Sequence, residues 1–495
     1  MNASTLVAKV WNYAHVLRDD GVGYGDYVEQ ITCLLFLKMD QENAELRGAP
    51  SSIPATWRWD KLVDLDGAKL ETHYAKTLEA LGREKGLLGL IFRKATNKIQ
   101  DPAKLKRVVS LIDGETWAGL SIDVKGGIYE GLLERNAAEV KSGAGQYFTP
   151  RPLIEAIVEC LDPALGETVH DPACGTGGFL LAAYDHIRHA ETKDKGFDTR
   201  KANRLRFETV SGIDIVDGVV RLCAMNLHLH GIGGEPPPVE ARDALARNTG
   251  AAYDVILTNP PFGKKSSYTV IGEDGEIGRE GIDYARTDFA ATTSNKQLNF
   301  LQHIMSSMKV TGRAAVVLPD NVLFEGGAGE TIRRSLLTKF DFHTLLRLPT
   351  GIWYSPGVKA NVLFFDAKPA SKTAQTKELW IYDFRTNRHF TLKQNMLRRD
   401  QLDEFVKCYG GRQRKGRKES ERFKRFAYDE LVERDKLNLD IFWLKDDSLT
   451  ASENLPPPDM LAAEIVETLE AALEEFRAVA DDLKTRMAGA AKRKA

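Results

Sequence analysis

Cysteine is scarce and scattered in this chain: Cys33, Cys160, Cys174, Cys223 and Cys408 are the only five in 495 residues, and no two form a Cys-x-x-Cys pair. That pattern offers neither a zinc site nor a disulfide framework, so no metal is expected and a reducing, cytoplasmic compartment is. Long hydrophobic runs are absent too. The longest, around Leu34 to Leu37, is far short of a bilayer span, and the first twenty residues lack the charged-then-apolar pattern of a secretion signal, so no membrane association is expected. Neither sign of charge dominates, with 68 Lys and Arg against 70 Asp and Glu and a formal charge of -2. No global basic field advertises a nucleic-acid partner, so any such binding must be local or shared with another chain. What remains is ordinary globular composition, 43% hydrophobic and 28% charged, in a chain long enough for several domains.

Hydrophobic periodicity divides the chain. From Leu6 to about Asn136 apolar residues recur at helical spacing, as in Val7, Val10 and Trp11, then Val28, Ile31 and Leu35, which predicts an all-helical domain over 1–136. Such a domain serves packing unless something else shows chemistry. From about 137 to 370 the pattern becomes short apolar runs separated by helical stretches. Glu167 to Asp171, Thr209 to Asp214, Val239 to Arg242, Asp254 to Thr258, Ala314 to Leu318, Phe342 to Leu348 and Asn361 to Phe365 read as strands. Alternating strands and helices predict an α/β, largely parallel, doubly wound Rossmann-like sheet, with ligands beyond the carboxyl ends of the strands.

Two stretches interrupt this domain. Residues 186–206 are polar and net basic, and 263–296 is rich in Gly, Ser, Thr and charge. Each is either a tolerated surface insertion or a functional loop. Beyond Lys368, a C-terminal extension over 371–455 includes the segment 407–425, with nine Lys or Arg against two Glu. It reads equally as a track for a phosphate backbone or as a solvated linker. After the prolines at 456–458, Val466, Leu469, Leu473, Phe476, Ala480, Leu483 and Met487 step by three and four, a coiled-coil-like seam in a helix over 456–495 that needs a partner.

The chemistry concentrates at the predicted strand ends. After the first comes Asp171-Pro172-Ala173-Cys174-Gly175-Thr176-Gly177-Gly178, whose glycines allow a tight turn into a helix with a ligand close to the backbone. It departs from the dinucleotide pattern GxGxxG and is weak evidence alone. Asp214 ends the second strand and suits ribose hydroxyls. Asp243, after the third, suits the amine of an adenine ring. The fourth ends in Asn259-Pro260-Pro261-Phe262. Two prolines cannot donate backbone hydrogen bonds and hold the chain extended, so an Asn oxygen beside a rigid proline carbonyl offers two acceptors to one amine. Phe262 adds a flat face for a heterocycle.

Upstream lies Gln146-Tyr147-Phe148-Thr149-Pro150, before the helix that leads into the first strand. In this order the elements resemble the amino-methylating, S-adenosylmethionine-dependent DNA methyltransferases. Tyr27 to Met39, Gly312 to Phe324 and Leu348 to Phe365 make the chain similar, more narrowly, to the methylation subunits of type I restriction-modification systems, over about residues 5–370 and more loosely in the C-terminal helix. The resemblance implies transfer of a methyl group from S-adenosylmethionine to the N6 amine of adenine in double-stranded DNA. It places Gln146, Tyr147, Phe148, Thr149, Asp171, Ala173, Gly175 and Gly177 around the methionine part of the cofactor, Asp214 at the ribose and Asp243 at the adenine amine. Asn259, Pro260, Pro261 and Phe262 would then receive the target base. It further implies a separate specificity subunit, a second copy of this chain in the assembly, and a restriction motor-nuclease subunit that can join them. On this reading the 263–296 segment closes over the extruded base and the C-terminal helix meets the specificity subunit. Other readings are methylation of cytosine N4, RNA or a protein glutamine, an enzyme that recognises its own site, and a non-catalytic DNA-binding scaffold.

Overall fold

The computed structural model describes Val10, Tyr13, 24–48, 50–117, 149–193, 196–262, 267–271, 277–281, Tyr284, 286–353, 358–388, 390–391, 395–445 and Val466. Before Thr149 every described element is helical: α1 (Tyr24–Arg47), α2 (Trp59–Val63), α3 (Gly67–Gly82), α4 (Gly86–Phe92) and α5 (Pro102–Asp113), with one 3-10 turn. Local chemistry sets the starts of α3 and α5. Asp66 and Asp101 each accept a hydrogen bond from the first turn of the helix that follows, and Pro102 occupies a position where no N–H is required. Every residue of α1 from Ile31 to Leu37 is buried, so this helix runs through a core rather than along its surface. That explains Leu34 and Phe36 filling the gaps in the helical period.

The rest forms an α/β domain. In chain order it comprises α6 (Arg151–Leu161), β1 (Val169–Asp171), α7 (Gly178–Thr192), α8 (Thr199–Glu208), β2 (Val210–Asp214), α9 (Asp217–Leu229), β3 (Val239–Ala241) and β4 (Tyr253–Thr258). Then follow β5 (Ser267–Ile271), β6 (Ile277–Gly281), α10 (Lys296–Ser306), β7 (Met308–Pro319), α11 (Ala328–Lys339), β8 (Phe340–Arg347) and β9 (Ala360–Ala367). Last come β10 (Glu378–Asp383), α12 (Asp403–Tyr409), β11 (Phe423–Ala427) and α13 (Tyr428–Val432). The main sheet has the order β11-β10-β8-β9-β7-β4-β1-β2-β3. β7, β4, β1, β2 and β3 are parallel neighbours, whereas β9 runs antiparallel between β7 and β8. Strand order reverses between β1 and β4, and a ligand crevice is expected at that point.

All seven strands expected from the apolar runs are present. Within the stretch read as a separate C-terminal extension, β10 and β11 join the same sheet, which therefore runs beyond residue 370. β10 was missed although five of its six residues are buried, because it belongs to a continuation of the sheet rather than to an alternating strand-helix unit.

The basic segment 407–425 is built into the fold rather than a free linker. Its arginines tie α12 and β11 to the sheet. Arg412 pairs with Glu167 at 2.8 Å and Arg414 with Asp366 at 2.8 Å, while Arg417 donates to the Tyr409 and His343 carbonyls and the Thr344 hydroxyl. Arg422 donates to the Asp383 and Thr386 carbonyls. The 186–206 stretch holds the end of α7 and most of α8. The 263–296 stretch carries the antiparallel hairpin β5–β6. The C-terminal seam lies outside the described residues except for Val466.

The helical domain and one face of the sheet share a single hydrophobic core, and the other face is covered by α10 and α11. At the seam, Phe36 meets Phe92 edge-on at 5.5 Å and His228 at 5.1 Å, Arg221 grips Glu29 through two bonds of 3.0 and 3.1 Å, and Arg93 pairs with Asp217 at 2.6 Å. Among the described residues no helix is long and apolar enough to cross a membrane.

Candidate active site

The register of the parallel strands aligns their carboxyl ends: Asp171 faces Gly212 across β1 and β2, and Asp214 faces Ala241 across β2 and β3. The three strand-end carboxylates foreseen in the sequence therefore lie along one edge. Asp171 is fully buried, with Oδ1 accepting the Ala173 N–H at 3.0 Å. Burial pushes its carboxyl up from the usual range to about 7, against the pull of the Thr258 hydroxyl and the Ala173 N–H.

The turn after β1 is held from both sides. Cys174 N–H donates to the Ile213 carbonyl at 2.8 Å, and Gly175 N–H donates to Asp214 Oδ2 at 3.1 Å. Asp214 Oδ1 accepts the Val216 N–H at 2.9 Å, and burial again raises the carboxyl. Gly175 and Gly177 adopt φ of 53° and 90°, conformations that disfavour any residue with a Cβ. They differ in what a side chain would meet. At Gly177 it would strike Cys223 Sγ at 2.8 Å, so that glycine is needed for packing against α9, whereas at Gly175 nothing lies within 4 Å. The open approach is at Gly175, above the helix N-terminus. From α9, Asn226 Nδ2 holds the Thr176 carbonyl at 3.0 Å.

Asp243 lies two residues beyond β3. Its Oδ1 accepts the Leu245 N–H at 2.8 Å and its Oδ2 the Tyr284 hydroxyl at 3.0 Å. Ile213, Ala244, Leu245 and Phe300 form a small apolar cluster against which Ala173 and Tyr284 pack. Ile215, directly after Asp214, is 68% exposed. Thus two carboxylates at neighbouring strand ends flank an apolar floor, with an uncovered aliphatic side chain beside one of them.

Across the strand-order reversal from Asp171, Asn259 follows β4. Its Nδ2 donates to Thr149 Oγ1 at 2.8 Å. That bond commits one of the amide's two N–H donors to a buried hydroxyl and fixes the side-chain plane, directing Oδ1 the other way. Pro260 is buried, and Pro261 and Phe262 are half-buried. Phe262 stands edge-on to the buried Trp353, ring centres 5.8 Å apart at 72°. The structure therefore brings Thr149, Asp171, Ala173, Gly175, Gly177, Asp214, Asp243 and Asn259 through Phe262 to one edge of the sheet. Gln146, Tyr147 and Phe148 lie outside the described residues.

Sequence reasoning missed Ile215, Tyr284 and Phe300, and it did not connect Thr149 to Asn259. Ile215 carried a faint signal as an apolar residue following a strand-end carboxylate. Tyr284, deep in a polar insertion, carried none.

A doubly wound sheet with carboxylates closing three consecutive strands and Asn-Pro-Pro-Phe closing the fourth defines a methyltransferase of the amino-modifying class. The family model for N-6 DNA Methylase matches residues 120–445, and that for the HsdM N-terminal domain matches 6–112. The chain is 37% identical over 526 aligned residues to the type I restriction enzyme EcoKI methylase subunit of Escherichia coli K12, covering 98% of this chain and 96% of that one. It is 38% identical to the StySJI methylase subunit of Salmonella typhimurium, with the same coverage. Among solved structures, a modification subunit of a putative type I restriction enzyme from Vibrio vulnificus superposes with a TM-score of 0.67 at 27% identity, covering 87% of this chain and 93% of that one. The chain belongs to the methylase subunits of type I restriction enzymes, and its activity is that of an N6-adenine DNA methyltransferase.

Proposed function

We propose that this chain uses S-adenosylmethionine to methylate adenine N6 at sites chosen by a specificity subunit. In that assembly it would act as one of two copies, in the cytoplasm, with a restriction subunit able to join. S-adenosylmethionine supplies an electrophilic methyl on a positively charged sulfur. The residues fit it: Gly175 leaves open space at a backbone turn, Asp214 and Asp243 follow adjacent strands, and the exposed Ile215 and the apolar cluster around Phe300 offer apolar surface beside them. Asp171 and the Gly-rich turn would hold the methionine part, with Thr149 and, from the resemblance, Gln146, Tyr147 and Phe148.

The chain's own contribution to the reaction follows from the chemistry of an exocyclic amine. The lone pair of such a nitrogen is delocalised into the ring, which makes it a poor nucleophile until the nitrogen becomes tetrahedral. Asn259 Oδ1 and the Pro260 carbonyl would accept its two hydrogens, favour that geometry and stabilise the positive charge that develops. No strong base is required, because the proton becomes acidic only after the methyl has arrived. The base is unreachable inside a duplex and must be rotated out. Phe262, braced by Trp353, would stack on it and offset part of an unstacking cost of about a few kcal/mol.

The observation that carries this reading is the Thr149–Asn259 bond, which presets an acceptor at the end of β4 beside the open turn at Gly175. The reading is tested by tritiated methyl transfer to DNA with and without a co-expressed specificity subunit. Incorporation should require that subunit, and equal incorporation without it would contradict the division of labour. The segment 263–296 is proposed to close over the extruded base. Unchanged amide exchange there on adding cognate DNA to the full complex would exclude this.

A further inference from the structure

The insertion between Phe262 and α10 begins at the catalytic corner, and its return path crosses the other end of the site. Three residues beyond the hairpin β5–β6, Tyr284 packs on Ile213, Ala244, Leu245 and Phe300 and donates its hydroxyl to Asp243 Oδ2 at 3.0 Å. The next residues anchor it. Arg286 Nη1 reaches His303 Nδ1 at 3.1 Å and the Leu245 carbonyl at 3.4 Å, and its guanidinium lies 4.2 Å from the Phe289 ring centre. Asp288 binds both Arg286 and Asn248. Further on, the Ala291 backbone is clasped by Gln302 through both its N–H and its carbonyl, and Asn295 caps α10. The insertion is thus fastened through described residues between 284 and 295 to the β3–β4 connection and to α10, and among the described residues Tyr284 is the fastening nearest the hairpin.

From this placement we infer that Tyr284 is a positioning residue of the cofactor pocket, coupling occupancy at Asp243 to the position of the β5–β6 hairpin. The inference rests on the proposed reading of Asp243 as acceptor of the adenine amine. A carboxylate with one oxygen fixed by the Leu245 N–H and the other by a phenol is held in a single plane. A 6-amino group arriving at Oδ2 shares that oxygen with Tyr284, and each donor orients the acceptor for the other. Because Tyr284 also belongs to the insertion, an adenine at Asp243 restrains the chain leading out of the hairpin. Cofactor would thereby preset the segment proposed to close over the extruded base before DNA arrives.

The test uses the full chain, wild type and Tyr284→Phe, which keeps the ring and removes only the hydroxyl. Its ligands are S-adenosylhomocysteine and S-inosylhomocysteine, whose 6-oxo group cannot donate to a carboxylate. Calorimetry should show Tyr284→Phe weakening the adenosyl ligand about tenfold, the equivalent of one hydrogen bond to a charged group, while the inosyl ligand changes little, so that discrimination between the two shrinks. Amide exchange should show the adenosyl ligand protecting both the 171–180 turn and the 267–289 peptides in wild type, but only the turn in Tyr284→Phe. Equal loss of both ligands, with a lowered melting temperature, would reduce Tyr284 to packing and overturn the inference. So would protection of 267–289 that is the same in both proteins, or absent in wild type while the turn is protected. If wild type shows neither heat nor protection of the turn, the cofactor assignment itself fails and takes the coupling with it.

Discussion

One residue on the cofactor side of the proposed site and one on the base side each have a measurable signature. Asp171 is a buried carboxyl held up at about 7, so the folded chain retains a proton between about 4 and 7 that the unfolded chain has lost. This group's contribution to stability therefore falls as pH rises through that window. A cationic cofactor favours the ionised form. Affinity for S-adenosylmethionine is expected to climb as pH rises through about 7 and then level off, with proton release that calorimetry in buffers of different ionisation enthalpy would detect. Asp171→Asn should remove that pH dependence, and a flat profile in wild type would refute the role. Asn259 works through its orientation. Thr149→Val removes the hydroxyl that takes its Nδ2 proton, and single-turnover methyl transfer should slow by about tenfold or more, in line with losing one oriented hydrogen bond to a catalytic group. Thr149→Ser should recover most of the rate. The rate loss should persist at saturating cofactor, and a loss confined to cofactor affinity would return Thr149 to a cofactor role alone.

At the scale of elements, what could be read in the sequence was what obeys a local rule. Seven strands followed from short apolar runs, and the strand-end residues Asp171, Asp214, Asp243 and Asn259 followed from where those runs stop. β10 was missed although Leu379 to Tyr382 is a short apolar run of the same kind, whereas β11, with Lys424 and Arg425 at its centre, carries no such run. The basic run 407–425 misled for a related reason. A count of cations does not say whether they meet phosphates or carbonyls, and Arg414, Arg417 and Arg422 are bonded to the protein's own acceptors while the half-exposed Arg412 pairs with Glu167. Arg417→Ala should accordingly destabilise the chain by about 2–3 kcal/mol, read by chemical denaturation, through loss of bonds to two carbonyls and a hydroxyl. If the arginine instead serves DNA, stability will be unchanged and DNA affinity will fall. Tyr284 and its bond to Asp243 depend on the path of an insertion back across the sheet, which no periodicity encodes.

Over the whole molecule, the helical domain and the catalytic sheet share one core, so they should unfold in a single transition rather than two. Breaking the bidentate Arg221–Glu29 bridge with Arg221→Ala is expected to lower the melting temperature without separating the transition, and two resolved calorimetric peaks would contradict that continuity. The same continuity explains how helices without chemistry of their own serve catalysis: α9 carries both Arg221, which holds the helical domain, and Asn226, which holds the Gly-rich turn. The central claim, that the corner at Asn259 and Pro260 receives the amine of an extruded adenine, is tested most directly by mass-spectrometric nucleoside analysis of DNA treated with the assembled complex and S-adenosylmethionine. N6-methyladenine should appear as the sole methylated nucleoside with wild type and vanish with Asn259→Ala while cofactor binding persists. Methyl groups on cytosine, or undiminished N6-methyladenine in the variant, would contradict it.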